Sequence, residues 1–256
     1  MTDAIMMNCQ NLTKVFGGLV AVDDVTLDIK EHSLHAIIGP NGAGKTTLFN
    51  LLSGMMPPTQ GKVFFKGKDI THVPPHKRAH LGIGRSFQIT NIFPNLTVLE
   101  NLRLGAQAMG KDNFRALASA DSLDRYIHDA MEVVQLVGLS NREFILARNL
   151  PHGEKRKLEL GIMLASKPEL LLFDEPTAGM SSEQVPELIE IINRVVREAN
   201  RTAILVEHRM DMVMSVSDKI TVMTQGHILA EGSPQEIAAN KQVQAAYLGD
   251  LYGELA

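Results

Sequence analysis

Cysteine is nearly absent from this chain of 256 residues: Cys9 stands alone, with no second thiol for an internal disulfide. That excludes the small cross-linked secreted scaffolds and fits a reducing compartment. A basic surplus is missing too. Lys and Arg number 25 against 29 Asp and Glu, a net charge of −4, and a nucleic-acid binder ordinarily shows the opposite balance. No stretch approaches the ~18 continuous apolar residues of a membrane helix; the longest apolar runs, such as Leu170 to Phe173, are strand-sized. The start, Met1-Thr2-Asp3-Ala4, lacks the basic region and apolar run of a secretory signal. Repeats and low-complexity tracts are missing as well. The expectation is a chain that does not cross a bilayer by itself and meets a membrane only through a partner.

What is present is ordinary globular usage, 45% hydrophobic and 21% charged residues, enough for a sizeable core in one large domain. Val20 to Ile29 partly alternates apolar and polar residues, as a half-buried antiparallel strand does. Leu34 to Ile38 runs apolar into a glycine-rich turn, the pattern of a buried parallel strand. Lys45 to Ser53 has helical period and is stopped by Gly54 and Pro57-Pro58. Gly61 to Lys66 and Ile83 to Phe87 read as short strands. From Ile89 to Leu150 helix-period segments, Val98 to Met109 and Ser122 to Val137, replace them. Strands return at Leu170 to Phe173 and Thr202 to Val206, and Lys219 to Met223 with Ile228 to Glu231 flank a Gln225-Gly226 hairpin turn. The expected fold is α/β, a mainly parallel sheet with an antiparallel β flank and an inserted helical subdomain.

Gly39-Pro40-Asn41-Gly42-Ala43-Gly44-Lys45-Thr46 fits the G-x-x-x-x-G-K-[ST] phosphate loop, followed by Thr47, and sits between a buried strand and a helix as its mechanism requires. Its glycines let successive backbone N–H groups face one phosphate, and the following helix adds its positive end. Lys45 can reach the β- and γ-phosphates, and the Thr46 hydroxyl can ligate Mg²⁺. Leu170-Leu171-Leu172-Phe173-Asp174-Glu175 buries a strand and releases two carboxylates at its C-terminal end, where open α/β sheets bind ligands. Asp174 is expected beside the Mg²⁺ shell, and Glu175 one residue on, able to polarise a water. The competing readings, a glycine-rich turn and a solvated acidic pair, weaken because the two motifs occur together. Met210 and Met214 read as helix packing, His72, His76 and His80 as a solvated face, and Cys9 as a small buried residue.

With these motifs in order, the chain resembles the ATP-binding subunits of ABC transporters over nearly its whole length, a P-loop NTPase core with an inserted helical subdomain. Phe16 matches the aromatic that stacks on adenine. Gln88 in Ser86-Phe87-Gln88 matches the glutamine that touches Mg²⁺ or water. Leu150-Pro151-His152-Gly153-Glu154 occupies the signature normally written LSGGQ, Ala178-Gly179-Met180-Ser181 the loop after the catalytic glutamate, and His208 the switch histidine near the γ-phosphate. The resemblance implies a single ABC ATPase domain, with a core over residues 1–88 and 157–256 and a helical subdomain over 89–156. It implies ATP hydrolysis to ADP and phosphate with Mg²⁺. Glu175 is then the general base, His208 and Lys45 act on the γ-phosphate, and Thr46, Asp174 and Gln88 serve the metal.

The signature departs from the family pattern, since Pro151 offers neither a hydroxyl nor a backbone N–H. In this family the signature of one subunit faces ATP held by the other, so a second ABC ATPase subunit, identical or related, is expected. Membrane permease subunits are expected as well, with Asn91 to Val98 the candidate docking segment. Through them the chain would serve a periplasmic or extracellular solute-binding protein, from the cytoplasmic face of a bacterial inner membrane. Gly84-Arg85-Ser86-Phe87-Gln88, the Phe93 to Asn101 run and Ala245-Ala246-Tyr247-Leu248-Gly249 look like the branched-chain amino acid importer branch. Related urea and short-amide importers are the alternative. A soluble ABC ATPase working on nucleic acid or ribosomes fits poorly, having either long coiled coils or two ATP modules. A P-loop kinase or GTPase is opposed by the signature and by Glu175.

Overall fold

Apolar residues placed on both faces of short β-rich runs force a sheet covered on both sides, and the chain builds one. The computed structural model describes residues 4–86, 92–110 and 120–253. Strands β1 (Ile5–Phe16), β2 (Leu19–Lys30) and β3 (Leu34–Ile38) lead into helix α1 (Lys45–Ser53). Then come β4 (Gln60–Phe65), β5 (Lys68–Asp69), α2 (Pro75–His80) and β6 (Ile83–Arg85). Helices α3 (Val98–Ala108), α4 (Ala120–Leu136) and α5 (His152–Ala165) follow. The remainder alternates: β7 (Leu170–Asp174), α6 (Val185–Asn193), β8 (Thr202–Val206), α7 (Met210–Val216), β9 (Lys219–Thr224), β10 (His227–Gly232), α8 (Pro234–Ala239) and α9 (Lys241–Gly253). Elements expected from the sequence lie within a few residues of these bounds; Phe87, at the end of the expected fourth strand, lies outside the described residues, as does Asn91.

The main sheet has order β10-β9-β3-β8-β7-β6, parallel except for the β9–β10 hairpin. Its central strands alternate between two cores. Leu34, Ala36 and Ile38 of β3, Leu171 and Phe173 of β7, and Ala203 and Leu205 of β8 face the helical side. Ile37, Leu170, Leu172, Ile204 and Val206 face α1 and the second sheet. That second sheet, β2-β1-β4-β5, is antiparallel. The broken alternation of β2 has a structural cause. Between the Leu12–Val25 and Lys14–Val22 pairs β2 carries one extra residue, and Asp24 takes φ +52 there, a bulge. The Gln225-Gly226 turn has φ +47 and +86, the two-residue hairpin geometry that favours glycine at its second position.

Helix α5 runs unbroken from the signature into the core, so the 156/157 boundary falls inside one helix. Its Leu158, Leu160, Met163 and Leu164 share a single apolar cluster with Val98 and Leu102 of α3 and with Val133 and Val134 of α4. Thr97 caps α3 in a reciprocal capping box with Glu100. Met210 and Met214 pack on the same cluster. Cys9 is fully buried, and burial pushes its thiol up to about 12. His72, His76 and His80 are exposed.

Two buried basic residues, one charged and one neutral, had no reading in the sequence. Arg78, 1% exposed, spends its guanidinium on carbonyls: Nε to Val73, Nη1 to Leu51 and Leu52 at the C-terminal end of α1, and Nη2 to Ile70 and Thr71. A cation there complements the negative end of the phosphate-loop helix. Gly54, at φ +79, has to be glycine because a Cβ would overlap that guanidinium. His35 is buried with Nε2 2.7 Å from Thr221 Oγ1, whose hydroxyl donates to Glu231. Burial first, and the Lys219 charge second, push its pKa from 6.5 down to about 3. The folded form therefore holds His35 neutral while the unfolded chain takes up a proton, so stability is to fall as pH drops from about 6.5 towards 3. The fall is up to about 1.4 kcal/mol per unit. Urea denaturation of wild type and His35→Gln across that window checks it, the variant showing the flatter fall.

Candidate active site

The order of the parallel strands assembles the site. β3, β8 and β7 lie side by side, and their C-terminal ends release, respectively, the phosphate loop, His208 and the Asp174-Glu175 pair. These ends open on a cleft of about 600 Å³ lined by Phe16, Leu19, Val20, Ala21, Asn41, Gly42, Ala43, Gly44, Lys45, Thr46, Thr47, Glu175, His208 and Gln225. Its volume is that of a small-molecule site. Phe16, Leu19 and Val20 are 46%, 67% and 42% exposed, an apolar wall suited to a flat ring. Leu19, Val20, Ala21 and Gln225 were not read from the sequence as site residues. Gln225 arrives through the hairpin turn, whose Gly226 N–H donates to the Ala43 carbonyl at 3.1 Å.

The loop curls around its own lysine. Lys45 Nζ donates to the carbonyls of Gly39 at 2.7 Å and Pro40 at 2.8 Å, and the ammonium is buried. Gly44 has φ +96, and a Cβ there would overlap the Ala21 carbonyl, so glycine is required where the loop turns into α1.

Glu175 and His208 meet in this cleft, His208 Nε2 standing 3.0 Å from Glu175 Oε1. Glu175 holds a left-handed backbone, φ +46, which disfavours a residue with a Cβ by roughly 1–2 kcal/mol. Three backbone contacts impose it. Its N–H donates to Val206 at 2.9 Å, its carbonyl accepts from Ala178 N–H at 3.0 Å, and the same carbonyl accepts from Arg156 Nη2 at 3.1 Å. Arg156 Nε also reaches the Pro176 carbonyl at 3.2 Å. The signature helix is thereby tied to the backbone of the glutamate.

Asp174 lies behind the cleft, 2% exposed, paired with Arg85 of β6 at 3.0 Å. Arg85 also donates to Ser53 and stacks on Phe49, 4.8 Å from the ring centroid. Burial pushes the Asp174 carboxyl up and the Arg85 guanidinium down, and each charge offsets part of the other's penalty. Asp174 Oδ1 is buried with no hydrogen-bond partner, a carboxylate oxygen suited to a cation or a cation-bound water. Arg85 and Arg156 are the residues sequence reasoning missed. The available signal was a charge inside a strand or an apolar helix face, where burial demands a partner.

The signature residues do not join this cleft. Leu150 and Gly153 are buried, Pro151 and His152 are exposed, and Glu154 pairs with Arg142 at 3.2 Å. Pro151 is the N-cap of α5 and supplies no side-chain cap. Gln88 lies outside the described residues.

The sequence model of the family described as ABC transporter matches residues 22–178. A second, described as branched-chain amino acid ATP-binding cassette transporter, matches residues 227–251. The chain is 38% identical over 253 residues to the high-affinity branched-chain amino acid transport ATP-binding protein BraF of Pseudomonas aeruginosa, covering 96% of this chain and 98% of that protein. It is 36% identical over 250 residues to LivG of Escherichia coli, with the same coverages. Among solved structures, the ADP conformation of an ATP-binding cassette of an ABC transporter superposes with a TM-score of 0.82 at 29% identity, over 96% of this chain and 99% of that one.

Removing Arg85 leaves Asp174 buried and uncompensated. Arg85→Met is expected to lower the unfolding free energy by about 3–5 kcal/mol, read by urea denaturation, with Arg85→Lys losing less.

Proposed function

The chain belongs to the ABC transporter family of ATP-binding cassettes, and on that footing we propose that it is the ATP-hydrolysing subunit of an importer of branched-chain amino acids. One observation carries the chemistry: a single cleft gathers the apolar wall of Phe16, the phosphate loop around Lys45, and the Glu175–His208 contact. The cargo is supported by the match of residues 227–251 and by the relatives named above, all branched-chain transport proteins, over the urea and short-amide alternative.

ATP enters with adenine against Phe16 and its phosphates over the loop amides, where Lys45 neutralises phosphate charge. Thr46, Asp174 and Gln88 would hold Mg²⁺, and the orphaned Asp174 Oδ1 fits that role. When bound, the ion supplies charge neutralisation at the β- and γ-phosphate oxygens. Glu175 accepts the proton of the attacking water, and His208 orients that carboxylate and contacts the γ-phosphate. The carboxylate's held backbone and its histidine contact supply position, the larger part of catalysis for phosphoryl transfer.

One chain holds one phosphate cleft and leaves its signature outside it, so the complete site requires a second cassette, whose Leu150-to-Glu154 counterpart would close over the ATP. The same segment of this chain serves the partner's nucleotide. We assign residues 1–88 and 157–256 to the core and 89–156 to the helical subdomain, joined through α5. Among the described residues no helix is long and apolar enough to cross a membrane. We assign attachment at the cytoplasmic face to permease subunits, on the strength of the transport relatives. Phe93, 52% exposed, with the exposed Pro94 and Asn95, offers the contact. The 410 Å³ cavity between β6, α3 and α5 lies beside the segment that continues to Gln88.

Glu175→Gln is expected to bind ATP as tightly as wild type while losing at least 100-fold in turnover, on the order seen when a general base is removed; near-normal hydrolysis removes Glu175 from the role. Pro151→Ser restores a helix cap and a hydroxyl at once. It is expected to raise ATP-driven dimerisation measured by analytical ultracentrifugation, with no change in association without nucleotide, and equal ATP-driven association overturns it.

A further inference from the structure

Directly after the apolar strand β8, Glu207 is 3% exposed, an unusual place for a carboxylate. Its two oxygens are shared between two separate loops. Oε1 accepts from the Thr177 N–H at 2.9 Å and from the Thr177 hydroxyl at 2.5 Å. Oε2 accepts from the N–H of His208 at 3.0 Å and of Arg209 at 3.4 Å. Thr177 stands two residues after Glu175, and His208 is the next residue after Glu207. One buried carboxylate therefore ties together the backbones that carry Glu175 and His208, whose side chains meet at 3.0 Å.

We propose that Glu207 is a positioning residue for hydrolysis, a bidentate acceptor that fixes the Glu175 loop against the His208 loop. The proposal rests on the catalytic reading of Glu175 and His208 given above. Two physical arguments favour it. Hydrogen bonds from backbone N–H to an ionised carboxylate are stronger than neutral ones and directional, so two loops with no direct hydrogen bond between Thr177 and His208 gain a fixed separation. The left-handed backbone of Glu175 also needs restraint on its C-terminal side, and a residue in such a conformation persists only where its surroundings over-determine it. Arg156 restrains the Glu175 and Pro176 carbonyls from the signature helix; Glu207 restrains Thr177 from the end of the neighbouring strand β8. Glutamine cannot replace glutamate here, because its NH₂ would face N–H donors on one side.

The test uses the full chain, with steady-state ATP hydrolysis, binding of a fluorescent ATP analogue and thermal melting measured on each variant. Glu207→Gln is expected to lower kcat about tenfold or more with nucleotide affinity within about threefold of wild type, since a small misplacement of reacting groups falls on rate before binding. Thr177→Val, which removes only the hydroxyl, is expected to lower kcat by about threefold, and Thr177→Ser to restore it, as a retained hydroxyl should. An unchanged kcat in Glu207→Gln, or a lower melting temperature with unchanged kcat, overturns the proposal. Should Glu207→Gln not fold, equal kcat for Thr177→Val and Thr177→Ser overturns it instead. Glu175→Gln run in parallel separates the two levels. If it abolishes turnover while Glu207→Gln does not, only the positioning role fails; if it turns over normally, the reading of the site fails first.

Discussion

Three parallel strands lying edge to edge, β3, β8 and β7, are the constraint from which the rest of this molecule follows. Parallel pairing aligns their C-terminal ends, so whatever follows each strand emerges at one rim. The phosphate loop, His208 and Asp174-Glu175 are separated by tens to more than a hundred residues along the chain, yet they share a cleft because their strands are neighbours. β9, on the other side of β3, brings Gln225 to the same rim and seats Gly226 on Ala43. The strands sit between two cores, which is why β3, β7 and β8 are buried along their length and mostly apolar, with His35 and Thr202 the polar exceptions inside β3 and β8.

Charge is handled by enclosing it in specific partners. Lys45 is wrapped by the carbonyls of its own loop, Arg78 by carbonyls at the end of α1, Arg156 by those of Glu175 and Pro176, and Asp174 by Arg85. A buried charge without such a partner costs several kcal/mol, so these contacts hold the loops in place as well as neutralising them. The left-handed Glu175 is the clearest consequence. Its backbone is unfavourable in isolation and is kept by the neighbouring strand β8, by Arg156 of the signature helix and by the Glu207 carboxylate beyond it. Arg156 also gives the first turns of α5 a direct hydrogen-bonded route to the Glu175 and Pro176 backbone.

Much of the fold was legible because its signals are local. The apolar runs of β3, β7 and β8, the stop at Gly54 and the Gln225-Gly226 turn each depend on residues a few positions apart, and each forms where its pattern lies. The phosphate loop and the Asp174-Glu175 pair were readable for the same reason. Helix α5 begins at His152, with Pro151 in the N-cap position and no side-chain cap.

What the amino-acid order determined alone is the set of elements and the chemistry attached to their ends. The tertiary structure decided which ends meet. Arg85 pairs with Asp174 across 89 residues, His35 with Thr221 across 186, and Thr177 with Glu207 across 30. Such pairings have no periodicity to read, since a side chain's partner is set by strand order and helix packing. A buried charge announces in the sequence only that it needs a partner; the fold selects one.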